Sequence, residues 1–261
     1  MIGALLAALL SAAPAEAAAP FAPPLDRPVR YTIRETTSNW GTPHTYIVSR
    51  AVTYRRDGDG FIAEATTTDA RAEPADVKAA MFVAGNQAFV GHPLRIRLDR
   101  SGRVVEVIDR QREWHRWLAR LGSAMKRTDA AAFARIARFV EALRAAPPAE
   151  QTESLGAHAA RIVGTDLVAR GPTPAIPVRL PAAAPATGEL LGSERIERRA
   201  DGLLQYERHA DGDMGQGRTA RTSLSRTVDP RTGLVHAMRE TSRYTLAGRV
   251  LDSDRATILD K

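Results

Sequence analysis

The sequence contains no cysteine. Disulfide bonds, zinc sites with cysteine ligands, cysteine nucleophiles and covalent haem attachment are therefore excluded, and nothing else in the sequence indicates a cofactor. The absence also excludes the lipid-modified cysteine of a bacterial lipoprotein.

Aromatic residues and lysine are scarce. Aromatics make up 5% of the chain, so a core must consist mainly of Ala, Val, Leu and Ile. Only three of the 37 basic residues are lysines, and the arginines are interspersed with Asp and Glu. A net charge of +7 favours anionic partners in general. The dispersed pattern instead indicates a solvated surface, and we predict no nucleic-acid partner.

Long hydrophobic runs are also missing. The apolar run Ile2–Leu10 is far shorter than the roughly 20 residues that span a bilayer, so we predict that the chain does not cross a membrane. Small residues follow this run, and Ala15-Glu16-Ala17 matches an A-x-A cleavage pattern. The sequence therefore predicts a signal peptide over 1–17, a flexible Pro/Ala-rich leader over 18–28, and a periplasmic or secreted mature protein.

Alternating apolar and polar residues predict most of the secondary structure. In HPLRIRLDRSGRVVEVID, the apolar residues Leu94, Ile96 and Leu98 alternate with charged ones, and a turn at 99–102 leads into a Val- and Ile-rich segment at 103–108. This pattern is typical of a β-hairpin with one apolar face. Similar segments before and after it bring the predicted total to about ten strands.

The period changes in the middle of the chain. Apolar residues at helical spacing predict two amphipathic helices, followed by a short third one that ends near Gly156. We expect these helices to cover the apolar face formed by Leu94, Ile96, Leu98 and Val105. The segment 158–169 is predicted as a strand, and the Pro-rich segment 171–188 as an irregular crossing. The two helical stripes are Trp114, Trp117, Leu118 and Leu121, and Phe133, Ile136, Val140 and Leu143.

These elements predict an α+β fold that is mostly antiparallel β. A large curved sheet or half-barrel of about ten strands would carry the two or three helices on its concave face. We expect one β-rich domain over 29–261, with a helical insert at about 110–156.

This order of elements resembles the periplasmic lipoprotein-carrier half-barrels of the LolA/LolB-like group. The resemblance covers most of residues 29–259 and consists of a signal sequence, an open antiparallel half-barrel and helices that cover an apolar cavity. The present sequence differs from that group in two ways. No helix is predicted before its first strand, and its predicted helices lie in the middle of the chain. The resemblance implies a carrier of lipids or acyl chains.

The first functional hypothesis is accordingly an exported binding or carrier protein for a lipid or other apolar ligand, held between the sheet and the helices. The second is a non-enzymatic interaction module of the cell envelope with a filled core and a protein partner. The predicted ligand-lining residues of the first hypothesis are Leu94, Ile96, Leu98, Trp114, Trp117, Leu118, Phe133, Ile136 and Val140.

An enzyme, such as a hydrolase with a dispersed site, ranks last. The six histidines form no metal-binding motif, and the chain has no G-x-S-x-G nucleophile turn, so we assign no catalytic and no metal-binding residue. For the interaction module, the candidate surface residues are Trp40 in a predicted loop and the strand residues Arg195, Arg198 and Arg199.

Overall fold

The computed structural model describes residues 19–39, 43–125, 137–138, 140–181, 188–215, 218–246 and 249–260. The strands are β1 Pro28–Asn39, β2 Pro43–Asp57, β3 Gly60–Glu73, β4 Leu94–Leu98, β5 Val104–Val107, β6 Thr173–Pro181, β7 Glu189–Arg198, β8 Leu204–Asp213, β9 Thr219–Val228, β10 Val235–Leu246 and β11 Arg249–Leu259. The helices are α1 Val77–Gln87, α2 Arg110–Met125, α3 Pro148–Ala160 and α4 Thr165–Arg170. Residues 140–144 are also helical.

The eleven strands form one sheet with the order β5-β4-β3-β2-β1-β11-β10-β9-β8-β7-β6. Each pair with a defined register, such as β2 with β3 and β9 with β10, is antiparallel. Strands β5 and β6 lie at the two ends, so the sheet is not closed. This arrangement confirms the predicted α+β class, dominated by antiparallel strands.

The chain divides into two compact units. We call Pro20–Arg34 with His44–Val163 the N-terminal unit, and Glu35–Pro43 with Gly164–Ile258 the C-terminal unit.

Helices cover one face of the strands in the N-terminal unit. Alternation in β2 buries Val48, Val52 and Tyr54 on this face, as a period of two residues requires. Helix α1 packs against β3, and α3 packs against β3, β4 and β5. Helix α2 packs against α1 and α3, so the Trp-bearing helix forms an outer layer of the helical cover. The indole N–H of Trp114 donates to the carbonyl of Leu143 at 3.2 Å.

The β4–β5 hairpin differs from the prediction at Val105, which was expected to be covered by helices. The register shifts where Arg97 pairs with Glu106 and Leu98 pairs with Val104, so Val105 is the extra residue of a β-bulge. Val105 is consequently 58% exposed, whereas Val107 is buried. The expectation that helices cover Val105 was wrong, because strict alternation does not foresee a bulge.

The C-terminal unit has its own core. Helix α4 packs against β8 and places Leu167 among buried residues of β7–β10, including Ile196, Tyr206 and Leu224. Gly164 precedes the helix, and a Cβ there would meet Cγ2 of Val228 at 2.8 Å. Glycine at this position therefore permits the close approach of the helix to the sheet.

Two predicted segments differ from the structure. The segment 158–169 is helical at both ends, in α3 and α4, and not a strand, because helix–sheet packing outweighs the weak strand pattern of its apolar residues. The Pro-rich segment predicted as irregular contains strand β6, which includes Pro174, Pro177 and Pro181. Proline lacks an N–H group, and a strand at the end of a sheet tolerates this because only one side is paired. The helices also extend beyond the predicted insert at 110–156.

Candidate functional site

The predicted ligand-lining residues lie in the interior of the N-terminal unit. Leu94 and Ile96 are fully buried. Leu98, Trp114, Leu118 and Val140 are at most 5% exposed, and Trp117 is half-buried. These side chains therefore contribute to a packed core. Phe133 and Ile136 lie outside the described residues.

The predicted surface residues on β7 and the turn after it are exposed and have local partners. Arg195 donates to Glu207 at 2.8 Å and lies 2.9 Å from Glu197. The side chain of Arg199 lies 3.0 Å from Asp201, and Arg198 donates to the carbonyl of Gly202. Such cross-strand and turn pairs are typical of a solvated sheet face. Trp40 lies outside the described residues.

A polar cluster lies beneath the helices of the N-terminal unit. It consists of Arg50 on β2, Thr67 on β3, Asn86 on α1 and His158 on α3, and we call it the Arg50 cluster. Strand pairing places Arg50 opposite Thr67. Arg50 is 9% exposed, Thr67 1% and His158 8%, so the cluster belongs to the interior and not to the surface.

The Arg50 side chain connects the strand to two helices. Its Nη2 donates to Oδ1 of Asn86 at 3.1 Å and lies 3.4 Å from Nε2 of His158. The Asn86 amide donates in turn to the carbonyl of Phe82 within α1. The phenol of Tyr31 donates to the carbonyl of His158 at 2.5 Å. These contacts fix the orientation of the guanidinium group.

His158 is neutral in this environment. Burial, and then the adjacent Arg50 cation, lower the pKa of His158 well below its usual value. A guanidinium group only donates hydrogen bonds, so Nε2 of His158 must act as the acceptor and Nδ1 must carry the proton. The ring also packs edge-on against Phe89, with 4.8 Å between the ring centroids.

Several polar atoms of the cluster are buried and have no hydrogen-bond partner among the described residues. They are Nε of Arg50, Oγ1 of Thr67 and Nδ1 of His158. Within the part of the chain that the structure describes, no carboxylate oxygen lies within 4 Å of the Arg50 guanidinium group. Buried polar groups are nearly always hydrogen-bonded, and buried charges are nearly always paired. The Arg50 cluster thus has an uncompensated positive charge and unused hydrogen-bond donors.

An open depression of about 430 Å³ in the N-terminal unit is lined by residues of β3, α1 and α2 and by Val90. Two of its lining residues, Thr68 and Gln87, directly follow the cluster residues Thr67 and Asn86 in the chain. None of the four residues of the Arg50 cluster is itself among the lining residues. Its lining residues are Thr68, Asp69, Ala70, Gln87, Val90 and Arg120.

Sequence reasoning missed Arg50, although the pattern that reveals it was present. In β2, Tyr46, Val48, Val52 and Tyr54 alternate with other residues, and residue 50 falls in the same alternation. An arginine at an inward position of a strand strongly indicates a buried polar site, because arginine is almost never fully buried unless it is paired.

Metal sites, membrane-spanning helices and relatives were also sought. Among the described residues, no three His, Asp or Glu side chains form a group that could hold a metal ion. None of the described helices combines the length and the hydropathy needed to cross a membrane. Comparison of the sequence with protein families gave no match, and comparison with curated proteins gave none either.

Proposed function

We propose that this protein binds a ligand with an anionic group, and that the Arg50 cluster in the N-terminal unit receives this group. The observation that supports the proposal is the buried guanidinium group of Arg50, for which no carboxylate partner lies within reach among the described residues. The site keeps the location expected for a carrier, between the sheet and the helices, but it is polar at its centre.

The donor set favours a carboxylate or a phosphate group. Arg50 Nε, Thr67 Oγ1 and His158 Nδ1 are each hydrogen-bond donors that have no partner among the described residues. Hydrogen bonds between a guanidinium group and an oxyanion are charge-assisted and about twice as strong as neutral ones. A bound anion would also compensate the buried charge, which otherwise costs several kcal/mol. Because His158 is neutral and Arg50 is the only cation in the cluster, a monoanion suits the site best.

This proposal modifies the carrier hypothesis. A lipid or acyl chain with an acidic end would combine the apolar interior of the unit with the polar cluster. The export of the protein stays a prediction, because residues 1–17 lie outside the described residues. The interaction module with a filled core is the competing hypothesis, since the buried residues around Leu94 and Trp114 are equally compatible with it.

The first experiment is native mass spectrometry, with solvent extraction, of the protein expressed from its full sequence. A co-purifying molecule with a carboxylate or phosphate group supports the proposal. The second experiment measures thermal stabilisation by sodium octanoate and, separately, by inorganic phosphate. We expect stabilisation by octanoate to disappear in Arg50→Gln.

The matched control is Arg97→Gln in the same unit, because Arg97 is exposed and pairs with Asp57 at 2.8 Å. This variant should respond to octanoate as the wild-type protein does. An apo mass together with no stabilisation by either probe would refute the binding proposal and favour the interaction module.

A further inference from the structure

A second group of arginines lies on the helix-bearing face of the C-terminal unit. In β8, Arg208 follows Tyr206 by two residues, so both side chains share a face. Strand pairing places Tyr206 opposite Arg226 and Arg208 opposite Leu224. Arg208 and Arg226 are therefore diagonal neighbours on adjacent strands, with Cα atoms about 7–8 Å apart, a separation that long side chains bridge.

The carboxylate opposite Arg208 in the neighbouring strand has other partners. Glu194 is the direct cross-strand partner of Arg208, but one of its oxygens accepts from Arg170 and the other from Tyr206 at 2.7 Å. Burial and this hydrogen bond raise the pKa of Tyr206 to about 12, so the phenol stays a donor to Glu194. In the described part of the chain, no carboxylate oxygen lies within 4 Å of the Arg208 guanidinium group.

Arg226 is only weakly paired. Its Nη1 lies 3.7 Å from Oδ2 of Asp166, a side chain that is 57% exposed. Its Nε is buried and has no hydrogen-bond partner in the described part of the chain. The side chain as a whole is 21% exposed. The environment is thus partly desolvated, which strengthens both the repulsion between neighbouring cations and their attraction to an anion.

We infer that Arg208 and Arg226 form a binding site for a phosphate group. Two guanidinium groups on one face match the charge of a phosphate dianion and the fork geometry by which arginine binds phosphate oxygens. A phosphate there would supply acceptors to the buried Nε of Arg226 and the unpaired guanidinium of Arg208. The site lies in the C-terminal unit, shares no residue with the Arg50 cluster and does not depend on the function proposed for that cluster.

The test is isothermal titration calorimetry of the full chain, which measures its affinity for inorganic phosphate. Sodium acetate serves as a monoanion for comparison. We expect the wild-type protein to bind phosphate more tightly than acetate at this site. Arg208→Gln and Arg226→Gln should each weaken phosphate binding at least tenfold, while Arg208→Lys should retain part of it. Arg50→Gln should leave this site unchanged, which separates the inference from the proposed function.

The control is Arg243→Gln, because Arg243 is exposed on β10 and pairs with Asp252 at 2.7 Å. Circular dichroism of each variant shows whether it is folded, and Arg208→Lys serves as the second variant if a glutamine variant is not. Absence of phosphate binding by the wild-type protein would overturn the inference. Equal binding by wild-type protein and the folded Arg208 variants would overturn it as well.

Discussion

Gly156 of α3 lies directly against Val104 of β5, so close that a Cβ atom at residue 156 would be 2.9 Å from Cγ1 of Val104. This distance is shorter than an ordinary van der Waals contact. The absence of a side chain at residue 156 thus sets how closely the helix approaches the hairpin.

Gly156→Ala should therefore lower the free energy of unfolding, by roughly 1–2 kcal/mol, because the clash exceeds the gain in helix propensity. The matched control is Gly122→Ala in α2, where a Cβ meets no atom within 4 Å. That variant should raise the free energy of unfolding by about 0.5–1 kcal/mol. Urea denaturation measures both, and equal effects at the two positions would contradict the packing described for α3.

Replacing Arg50 by methionine should not destabilise the protein in the absence of ligand. Burying a charge without a counter-ion costs several kcal/mol, and methionine, an apolar side chain of similar length, removes this cost. We expect an unchanged or higher melting temperature for Arg50→Met, combined with loss of anion binding. A fall of several degrees would show instead that the contacts of Arg50 with Asn86 and His158 are primarily structural.

His158 should make stability depend on pH. Because the pKa of His158 is well below its usual value in the folded protein, the unfolded chain binds a proton first as the pH falls. The contribution to stability is full above the unfolded pKa of about 6.5 and is lost as the pH falls below it towards the folded pKa.

Between pH 7.5 and pH 5.5, the free energy of unfolding of the wild-type protein should fall by roughly 1 kcal/mol more than that of His158→Gln. Denaturant titrations at several pH values measure this difference. His115→Gln provides the control, because His115 is an exposed residue of α2. Parallel pH profiles for wild-type protein and His158→Gln would disprove the assignment of a neutral buried histidine.

Asp76 should stabilise the start of α1. Its Oδ1 accepts from the backbone N–H of Ala79 at 2.9 Å, and its Oδ2 lies 2.7 Å from Nε2 of His44. Burial raises the pKa of Asp76, but the bonds to Ala79 and His44 outweigh this effect and hold the pKa below its usual value. Asp76→Ala should cost about 1–2 kcal/mol of stability, whereas Asp76→Asn should keep most of the cap.

The carboxyl group of Asp76 gives a pH dependence of the same sign as that of His158, but at lower pH. Its contribution is present above the unfolded pKa of about 3.9 and disappears as the pH falls through the lowered folded value. Thermal unfolding at pH 7 and pH 3 should therefore show a smaller difference between wild-type protein and Asp76→Ala at pH 3. An unchanged difference would contradict the role of the ionised group.

The signal peptide is directly testable. Secretion from a bacterial host should yield a mature chain that begins at Ala18, because cleavage follows Ala15-Glu16-Ala17. Intact-mass measurement of the periplasmic fraction determines the new terminus. An uncleaved chain in the cytoplasm would refute the prediction of export.

Local sequence patterns predicted the sheet well. Alternation around Leu94, Ile96 and Leu98 indicated a half-buried antiparallel strand, and the structure places it in β4. The helical spacing of Trp114 and Leu118 identified α2 in the same way. The strand alternation and the helical spacing are each repeated over many residues, so a single residue that departs from the pattern does not hide it.

Features that depend on distant parts of the chain were not predictable. Nothing in the sequence near Pro174 or Pro177 shows that their segment lies at the end of the sheet and pairs along one side only. This position is what allows a strand to contain these prolines. The significance of Arg50 likewise depends on Asn86 and His158, which approach it only after the helices pack onto the strands. A single arginine in an apolar alternation marks such a position but does not reveal its partners.

The three prolines of β6 also affect how the molecule behaves at high concentration. A sheet with a free end invites another chain to continue its hydrogen-bond ladder, which is how fibrils grow. Pro174, Pro177 and Pro181 remove backbone donors from this terminal strand. A strand of another molecule would therefore find an interrupted row of backbone hydrogen-bond donors on β6. We expect that molecules do not associate by pairing strands at this end of the sheet.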